Sequence, residues 1–405
     1  MKLQKLILIF FIFCSFMFTG CSNYNSYYSS NHNKLLKKYK TTLKILNKNE
    51  LNPQLIWFSK VIKKSNNNFS KLHVAYKNNL LYIAHKDGIV KCININNGNV
   101  IWDINLAKKN FCMFSYCLPE ELSSGPIISN NSLYLGSEKG KIIALNIKNG
   151  NKIWETFVFS EVLSDPVISK NILIVHNNNN ILQGLNKNNG HILWTVNLGP
   201  LESYSFRGTS KPTIFFDNVI TGSDNGIISS RISNNGSLVW QKDLTKIPNL
   251  LHLLNFNDID AQPIISNGII YVGSYNGDFY ALDLSNGDIF WKKSYQISSD
   301  FIINKNKIYL FNIKNKLLSL DTNKGDIIWS QNKFINKETT TPIYYKNNII
   351  IVEKCGKIYW LNSYNGNIIG NILIKNFNDK IQSSLLVNNK LILQTYNGNI
   401  YAFKL

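Results

Sequence analysis

Histidine, cysteine and carboxylate side chains form no catalytic or metal-binding pattern in this sequence. The six histidines occur at no metal-motif spacing, and no cysteine pair has the spacing of a zinc site. We also find no Ser-His-Asp ordering, glycine-rich phosphate loop or pair of catalytic carboxylates. Asp224, Asp278 and Asp321 lie in or after predicted turns, where a solvated position or an Asx-turn role is expected. The sequence therefore predicts a chain that is not an enzyme and that uses no cofactor and no metal.

The cysteines allow at most one local disulfide. Cys112 and Cys117 lie in one predicted loop, where an oxidising compartment is compatible with either a disulfide or two free thiols. Cys92 and Cys355 stand alone in predicted strands. We expect both to be small buried hydrophobic residues rather than reactive groups.

The first residues indicate a secretory leader that ends at a cysteine. Lys2 and Lys5 precede an apolar run of 13 residues, Leu6 to Phe18, which is too short to cross a bilayer about 30 Å thick as a helix. The run ends Phe18-Thr19-Gly20-Cys21, which resembles the bacterial lipobox and implies lipidation of Cys21. An ordinary signal peptide with a chance cysteine is the alternative. By resemblance to enterobacterial sorting signals, Ser22 implies the outer membrane.

A short pattern recurs eight times from about residue 80 onwards. The clearest copy runs from Ile270 to Asp283 and continues from Ser285 to Trp291. Six copies end in an Asn-Gly or Lys-Gly pair with Trp five residues after the first residue of the pair, at Asn97/Trp102, Asn149/Trp154, Asn189/Trp194, Asn235/Trp240, Asn286/Trp291 and Lys324/Trp329. A seventh copy, Asn365 to Gly370, has lost the Trp. Asn-Gly between apolar runs favours a two-residue hairpin turn, and each Trp is placed to wedge between adjacent sheets.

These repeats predict an all-β, eight-bladed β-propeller with four antiparallel strands in each blade. Eight hairpins start near Leu81, Leu133, Ile172, Val219, Ile269, Ile308, Ile349 and Leu391. Another strand precedes most of them, often marked by Pro at its first position, as at Pro126, Pro166, Pro212, Pro263 and Pro342. An open β-solenoid, two stacked sandwiches or a seven-bladed ring are the alternatives.

Closure of the ring is predicted to need a strand from the N-terminal part of the chain. Eight hairpins need eight outer strands, but only seven follow a hairpin. The segment from Gln54 to Lys60 reads as the missing strand and carries its own Trp57. The expected organisation is therefore a signal peptide at 1–20, a flexible polar tether at 21–52 and a propeller at 53–405.

The charge of the chain is large but carries no clear partner signal. The formal net charge is +20, which by itself would indicate an acidic partner. The lysines, however, are spread over loops among abundant Asn and Ile, as in AT-rich coding sequences, and no basic block carries interleaved aromatic residues. We therefore expect no nucleic-acid binding.

Propellers with this Asn-Gly to Trp ending resemble the quinoprotein dehydrogenases. That family binds pyrroloquinoline quinone and calcium at the ring centre and typically has a vicinal Cys-Cys disulfide beside the quinone. This sequence has no adjacent cysteines. A quinone-dependent periplasmic dehydrogenase is therefore kept as an alternative only.

The lipobox, the tether and the Trp-marked blades together resemble the BamB family of outer-membrane-protein assembly lipoproteins. The resemblance spans essentially the whole chain, and its more specific stretch is Arg207-Gly208 before Ser210-Lys211-Pro212. It implies a non-catalytic scaffold, a monomer within a multi-subunit complex, held at the outer membrane by its lipid and facing the periplasm. The implied partners are the periplasmic POTRA domains of the BamA insertase and, more weakly, unfolded outer-membrane proteins. A lipid-anchored propeller with a different protein partner is a further alternative.

The resemblance also implies a contact surface on two neighbouring loops. Tyr204, Phe206 and Arg207 match the family's pattern of two apolar residues followed by Arg, although both apolar positions, usually aliphatic, are aromatic here. The other loop carries Asp258-Ile259-Asp260 ahead of Pro263. Aromatic rings and a forked guanidinium are enriched in interface hot spots, and the two acids would orient Arg207 or meet a basic partner. The alternatives are an interblade salt bridge for Arg207, loop-core packing for the aromatic pair and turn capping for the acids.

Overall fold

The repeated strand-turn-strand pattern folds into a ring of four-stranded sheets. The structure is a computed structural model that describes residues 43–45, 53–60, 70–107, 120–200, 209–245, 258–275, 277–297, 299–374 and 377–405. Within these residues, eight antiparallel sheets follow one another along the chain as blades. The predicted eight-bladed β-propeller is therefore confirmed.

The strands are numbered along the chain, and the first strands of neighbouring blades contact one another, so they line the inside of the ring. Two strands precede the first blade, β1 (Leu43–Ile45) and β2 (Gln54–Lys60). Blades 1 to 4 consist of β3 (Ala75–Lys77), β4 (Leu80–Ala84), β5 (Ile89–Asn94) and β6 (Val100–Asn105); β7 (Leu122–Ser129), β8 (Ser132–Ser137), β9 (Lys141–Asn146) and β10 (Lys152–Phe157); β11 (Val167–Ser169), β12 (Ile172–Asn177), β13 (Ile181–Asn186) and β14 (Ile192–Asn197); and β15 (Thr213–Phe215), β16 (Asn218–Gly222), β17 (Ile227–Ile232) and β18 (Leu238–Asp243).

The remaining blades follow the same order. Blades 5 to 8 consist of β19 (Ile264–Ser266), β20 (Ile269–Gly273), β21 (Phe279–Asp283) and β22 (Ile289–Lys293); β23 (Ile302–Asn304), β24 (Lys307–Phe311), β25 (Leu317–Asp321) and β26 (Ile327–Gln331); β27 (Ile343–Tyr345), β28 (Asn348–Glu353), β29 (Lys357–Asn362) and β30 (Ile368–Ile374); and β31 (Ile381–Val387), β32 (Lys390–Thr395) and β33 (Asn399–Lys404) with β2. The sheet of blade 7 also carries β1 beside β30, so a short part of the predicted tether is strand.

The predicted hairpins are confirmed in position, but the Asn-Gly turns are not two-residue turns. Five residues separate β5 from β6, and in Asn97-Gly98 only the glycine has a positive φ. The two-residue turns instead join first and second strands, as at Asn78-Asn79, where both φ angles are positive.

One proline also departs from the predicted pattern. Four of the five prolines directly precede the first strand of a blade, as Pro263 precedes Ile264. Pro126 instead lies within β7, where the register with β8 shifts between Ser124 and Ile127. The irregularity leaves Pro126 outside the hydrogen-bond ladder, which a residue without an N–H requires.

Blade 8 is completed by the early strand, as predicted. β2 pairs antiparallel with β33, with Gln54 opposite Lys404 and Lys60 opposite Asn399. Trp57 of β2 is 1% exposed and donates a hydrogen bond from its indole N–H to the carbonyl of Ile95 in blade 1 at 2.8 Å. The closing strand is therefore fixed on both sides, to blade 8 by its ladder and to blade 1 by its tryptophan.

Tryptophan joins consecutive blades through one repeated contact. In the described residues, seven indole N–H groups donate to a carbonyl in the next blade at 2.8 to 3.1 Å, namely those of Trp57, Trp102, Trp154, Trp194, Trp240, Trp291 and Trp329. Each ring also covers the glycine of the next blade's Asn-Gly or Lys-Gly turn, where an added Cβ would lie 2.5 to 2.8 Å from a ring atom. Those glycines have φ between 69° and 77°. Glycine is therefore required for two reasons, the positive φ and the lack of room for a Cβ beside the tryptophan ring. The predicted wedging of Trp between sheets is confirmed.

The two ends of the blades define two faces. At one end, the turn between first and second strands bonds to the residue after the third strand, as when the N–H of Ser233 donates to the carbonyl of Asp217 at 2.7 Å. We call this end the turn face. The turns between second and third strands and the connections between blades lie at the opposite end, which we call the loop face. Within the described ranges, no helix has the length and apolar character needed to cross a membrane.

Candidate protein-docking site

The connection that leads into blade 5 carries two of the predicted contact residues. In Asp258-Ile259-Asp260 the central side chain is fully buried and packs on Gly222, where an added Cβ would lie 2.3 Å from Cγ2 of Ile259. The N–H of Ile259 donates to the carbonyl of Ser223 at 3.3 Å, and the N–H of Tyr275 donates to the carbonyl of Asp258 at 3.0 Å. The loop is therefore fixed to the neighbouring turns of blades 4 and 5.

Three carboxylates gather at this point of the loop face. Asp258 is completely buried, Asp260 is half-buried, and Asp224, from the turn between β16 and β17, is 1% exposed. Both carboxylate oxygens of Asp224 and Oδ1 of Asp260 are buried and accept no hydrogen bond within the described residues. Burial, followed by repulsion from Asp258 and Asp260, raises the pKa of Asp224 to about 8. Such a cluster is costly to ionise and is stabilised by any cation that can reach it.

Lys71 supplies part of that positive charge from across the ring. It precedes blade 1, yet its ammonium donates to the carbonyl of Thr209, which precedes blade 4, at 3.4 Å. Burial raises the pKa of Asp260, and the charge of Lys71 opposes this rise. Lys71 likewise opposes the raised pKa of Asp224. Lys71 thus opposes the raised pKa of two of the three acids without restoring either to its usual value, so within the described residues the cluster is under-compensated by positive charge.

A neutral histidine supports the neighbouring connection. His176 is completely buried, and burial lowers its pKa to about 4. The ring is therefore neutral near pH 7, and Nδ1, 2.9 Å from the carbonyl of Ser210, must carry the proton and donate. The hydroxyl of Ser210 in turn donates to the carbonyl of Ala261 at 3.2 Å. These bonds tie the connections that enter blades 4 and 5 to each other.

A second charged group links the connections of blades 1 to 4. Asp165 accepts from the N–H of Gly125 at 2.7 Å and lies 3.2 Å from Nζ of Lys211 and 3.6 Å from Nδ1 of His73. Burial favours the neutral acid, but His73, Lys211 and the Gly125 amide together lower the pKa of Asp165. The carboxylate of Asp165 thus has hydrogen-bond and ion-pair partners, in contrast to that of Asp224, so its role is to hold the connections together.

The structure brings Asp258 and Asp260 together and adds two residues that the sequence did not indicate. Asp224 and Lys71 belong to blades three apart along the chain, and no local pattern marks them as neighbours. Tyr204, Phe206, Arg207, Cys21, Cys112 and Cys117 lie outside the described residues. Chemically, the arrangement can bind a guanidinium or an ammonium group and can hold it by charge-assisted hydrogen bonds. The described residues contain no group of three or more His, Cys, Asp or Glu that could hold a metal ion.

Three predictions for single residues were wrong. Asp224 and Asp278 were expected at solvated positions or in Asx-turn roles. They are 1% and 5% exposed, so a solvated position is wrong for both, because the connections between blades cover these turns. Asp321 does have an Asx-turn role, since it accepts from the N–H of Asn323 at 2.9 Å. Cys92 is buried as predicted, whereas Cys355 is exposed because it lies in the turn between β28 and β29 rather than in a strand.

Comparison with known families decides what kind of propeller this is. The family model described as "Outer membrane protein assembly factor BamB" matches residues 86–331 and 267–405. The chain belongs to the BamB family. Relatives of that name include those of Escherichia coli K12, 32% identical over 87% of this chain and 89% of the relative, and of Yersinia pestis, 30% identical over 100% of both chains. The predicted resemblance to the BamB family is confirmed.

Solved structures show the same architecture. The crystal structure of BamB from Moraxella catarrhalis superposes with a TM-score of 0.72 over 85% of this chain and 99% of that chain, at 20% identity. A quinohemoprotein alcohol dehydrogenase from Pseudomonas putida superposes with a TM-score of 0.67 over 88% of this chain and 77% of that chain, at 11% identity. At such identities the likeness to either structure shows the fold alone.

Proposed function

We propose that this BamB-family chain is a non-catalytic scaffold of the outer-membrane β-barrel assembly machinery. It binds the periplasmic POTRA domains of the BamA insertase through the connections that enter blades 4 and 5. In this way it assists the insertion of barrel proteins. The observation that carries the proposal is the under-compensated acidic cluster at the loop face, built from the loop that the family resemblance implies as a contact.

The three carboxylates have different roles in this proposal. Asp260, half-buried with one unpartnered oxygen in the described residues, is the acid placed to meet a cation directly. Asp258 is completely buried, so it acts from beneath by holding the loop and by adding negative potential. Asp224, whose pKa of about 8 keeps it protonated near pH 7, adds no charge and lies buried in the adjoining turn. Arg207 would be held by these acids, and the apolar rings of Tyr204 and Phe206 would make the contact with the partner.

The leader completes the proposal. Lipidation of Cys21 would hold the chain at the outer membrane and place the propeller in the periplasm, as the outer-membrane assembly name of the family suggests. Unfolded barrel proteins are a weaker second partner. No step of this function needs a reacting group.

A pull-down tests the identity of the partner. Affinity-tagged full-length chain is captured from detergent-solubilised envelopes, and co-purifying proteins are identified by mass spectrometry. The proposal expects the BamA insertase in near-equal amount, and an Asp103→Asn variant, changed at an exposed carboxylate of blade 1, should capture the same amount. Capture of a different protein in place of the insertase contradicts the proposal, as would quinone-dependent dye reduction by the purified chain.

A further inference from the structure

The turns between first and second strands differ in one blade. In all eight described blades the first residue of this turn has a positive φ between 45° and 52°. Asn or Lys occupies this position in seven blades, at Asn78, Asn130, Lys170, Asn267, Lys305, Lys346 and Asn388, whereas blade 4 has Phe216. Asn tolerates this backbone region well, and a bulky aromatic residue does not. Phe216 is therefore an exception in a position where seven repeats show what the backbone prefers.

The side chain of Phe216 also lies in solvent rather than in the hydrophobic core. Its side chain is 83% exposed, and its ring lies nearly perpendicular to that of the neighbouring Phe215, with centroids 4.6 Å apart. Backbone strain together with an exposed aromatic ring is a combination that folding alone does not favour. Strained residues of this kind cluster at binding surfaces, so the exception indicates a contact at the turn face.

The inner rim of the turn face is strongly basic. We define this rim as the eight turns between first and second strands, the strand residues that flank them and the last residue of each third strand with the residue after it. It contains eight lysines, Lys77, Lys170, Lys187, Lys305, Lys307, Lys346, Lys390 and Lys404, against three aspartates, Asp217, Asp283 and Asp321. Asp217 is paired with Lys170 at 2.6 Å, and the other two aspartates accept amide hydrogen bonds from their own turns. Four of the lysines are exposed and three are half-buried, whereas Lys187 is buried and its ammonium donates to the carbonyl of Lys170. Most of the positive charge of the rim therefore faces solvent.

A second exposed aromatic residue lies on the same face. Tyr364, in the turn between β29 and β30, is 62% exposed, and the ammonium of Lys307 lies 4.7 Å from its ring centroid. Phe216 and Tyr364 stand three blades apart, so the face presents two aromatic side chains with lysines between them. Aromatic rings beside lysines are the combination found where proteins meet the headgroup region of a bilayer.

The chain enters the propeller from this face. Gln54, the first residue of β2, pairs with Lys404, and Leu405 beside it bonds to Asn389 of the turn face. The predicted lipid attachment at Cys21 lies on the segment that precedes Gln54. We propose that the turn face docks on an anionic phospholipid surface, with Phe216 and Tyr364 at the headgroup level and the rim lysines against the lipid phosphates. The acidic cluster on the loop face would then point away from the membrane, and the two contacts do not share a residue.

Photocrosslinking of the full-length lipidated chain in vesicles tests this docking. p-Benzoylphenylalanine replaces Phe216 in one chain and, as a control on the loop face, Ile313 in another, which is 37% exposed in the turn between β24 and β25. In vesicles of phosphatidylethanolamine and phosphatidylglycerol, the lipid adduct at position 216 should exceed that at 313 by about fivefold or more. Replacing phosphatidylglycerol by phosphatidylcholine should remove most of the excess. Equal lipid yields at the two positions, or an excess that does not depend on lipid charge, overturn the proposal.

Three further variants test the docking without depending on one substitution that could disturb folding. With the photoprobe at Tyr364, the triple change Lys170→Gln, Lys305→Gln and Lys346→Gln should lower the lipid adduct by about fivefold or more, while Lys139→Gln with Lys314→Gln on the loop face should leave it unchanged. Phe216→Asn should lower the adduct at 364 without lowering the melting temperature, because Asn suits the positive φ. In native envelopes, adducts at position 216 with a protein instead of phospholipid contradict the membrane assignment.

Discussion

Trp360 lies directly opposite Gly370 in blade 7, which reverses the arrangement of every other described blade. Elsewhere the tryptophan is on the outermost strand, and a small residue faces it from the next strand inward, as Ala281 faces Trp291 and Ser319 faces Trp329. In blade 7 the large residue is on the inner of the two strands, is completely buried, and its indole N–H has no hydrogen-bond partner in the described residues. The total volume of the pair is retained, while the bond to the next blade is lost. Blade 8 has no turn between its third strand and β2, so it has no turn glycine for such a tryptophan to cover.

A double-mutant cycle tests this reversed pair. Trp360→Ala should lower the free energy of unfolding by about 3 to 5 kcal/mol, since it leaves a cavity, and Gly370→Trp should destabilise by overpacking. Together the two changes should cost at least about 1 kcal/mol less than the sum of the single costs. Denaturant unfolding of the four chains measures the coupling. Strict additivity would show that the two positions do not share one space.

Closure of the ring depends on Trp57. Trp57→Phe should cost about 1 to 3 kcal/mol, because the buried carbonyl of Ile95 loses its donor, and Trp57→Ala should cost about 3 to 5 kcal/mol. Urea unfolding is the measurement. The same Phe substitution at Trp102, whose indole is only partly buried, should cost less. An unfolding midpoint for Trp57→Ala equal to that of the parent chain would contradict the closure.

Two glycines with the same φ allow the cost of backbone strain to be measured apart from the cost of a steric clash with tryptophan. Gly236 and Gly268 both have φ of 75°, but an added Cβ at Gly236 would lie 2.8 Å from the ring of Trp194, whereas nothing lies within 4 Å at Gly268. Gly268→Ala should therefore cost about 1 kcal/mol from the backbone alone. Gly236→Ala should cost clearly more, by about 1 to 3 kcal/mol, because the interblade tryptophan must move. Equal losses of unfolding free energy would show that the tryptophan contact is not tight.

Blade number and ring closure were predictable because their signals are local. The Asn-Gly turn sets a positive φ, and Trp five residues later sets the facing strand, so each blade can be recognised within about twenty residues. The closing strand was found by the same signal, since Trp57 follows the pattern of the other outer strands.

The acidic cluster was predictable only in part because it depends on contacts far apart along the chain. Asp258 and Asp260 were identified through the family resemblance. Asp224 lies in Ser223-Asp224-Asn225-Gly226, which reads as an ordinary solvated turn, and its burial arises only when the connections of neighbouring blades cover it. Lys71 reaches Thr209 over a separation of 138 residues, and no periodicity in the sequence reports such a contact.

Stability should depend on pH through Asp224. Its pKa of about 8 in the folded chain lies above its usual unfolded value near 4, so the folded chain keeps a proton that the unfolded chain releases. Asp224 therefore contributes stability that is lost as pH rises between about 4 and 8, whereas His176, whose pKa is lowered to about 4 by burial, opposes this loss below about pH 6.5. Asp224→Asn should remove this contribution. Between pH 5 and pH 8 the variant should therefore lose less free energy of unfolding than the parent chain does, by more than about 1 kcal/mol. Asp103→Asn, at an exposed carboxylate, should not. The same change in stability between pH 5 and pH 8 for Asp224→Asn and the parent chain would contradict the assignment.

Affinity for the purified periplasmic POTRA domains of the BamA insertase tests the central claim most directly. Calorimetric titration of the full-length chain should show that Arg207→Ala and Asp260→Ala each weaken binding by about 2 kcal/mol or more, roughly thirtyfold in Kd. The double variant should lose less than the sum of the two single losses, because the two groups act together. Phe216→Asn, on the opposite face, should bind as the parent does. An unchanged Kd for both Arg207→Ala and Asp260→Ala would contradict the docking site.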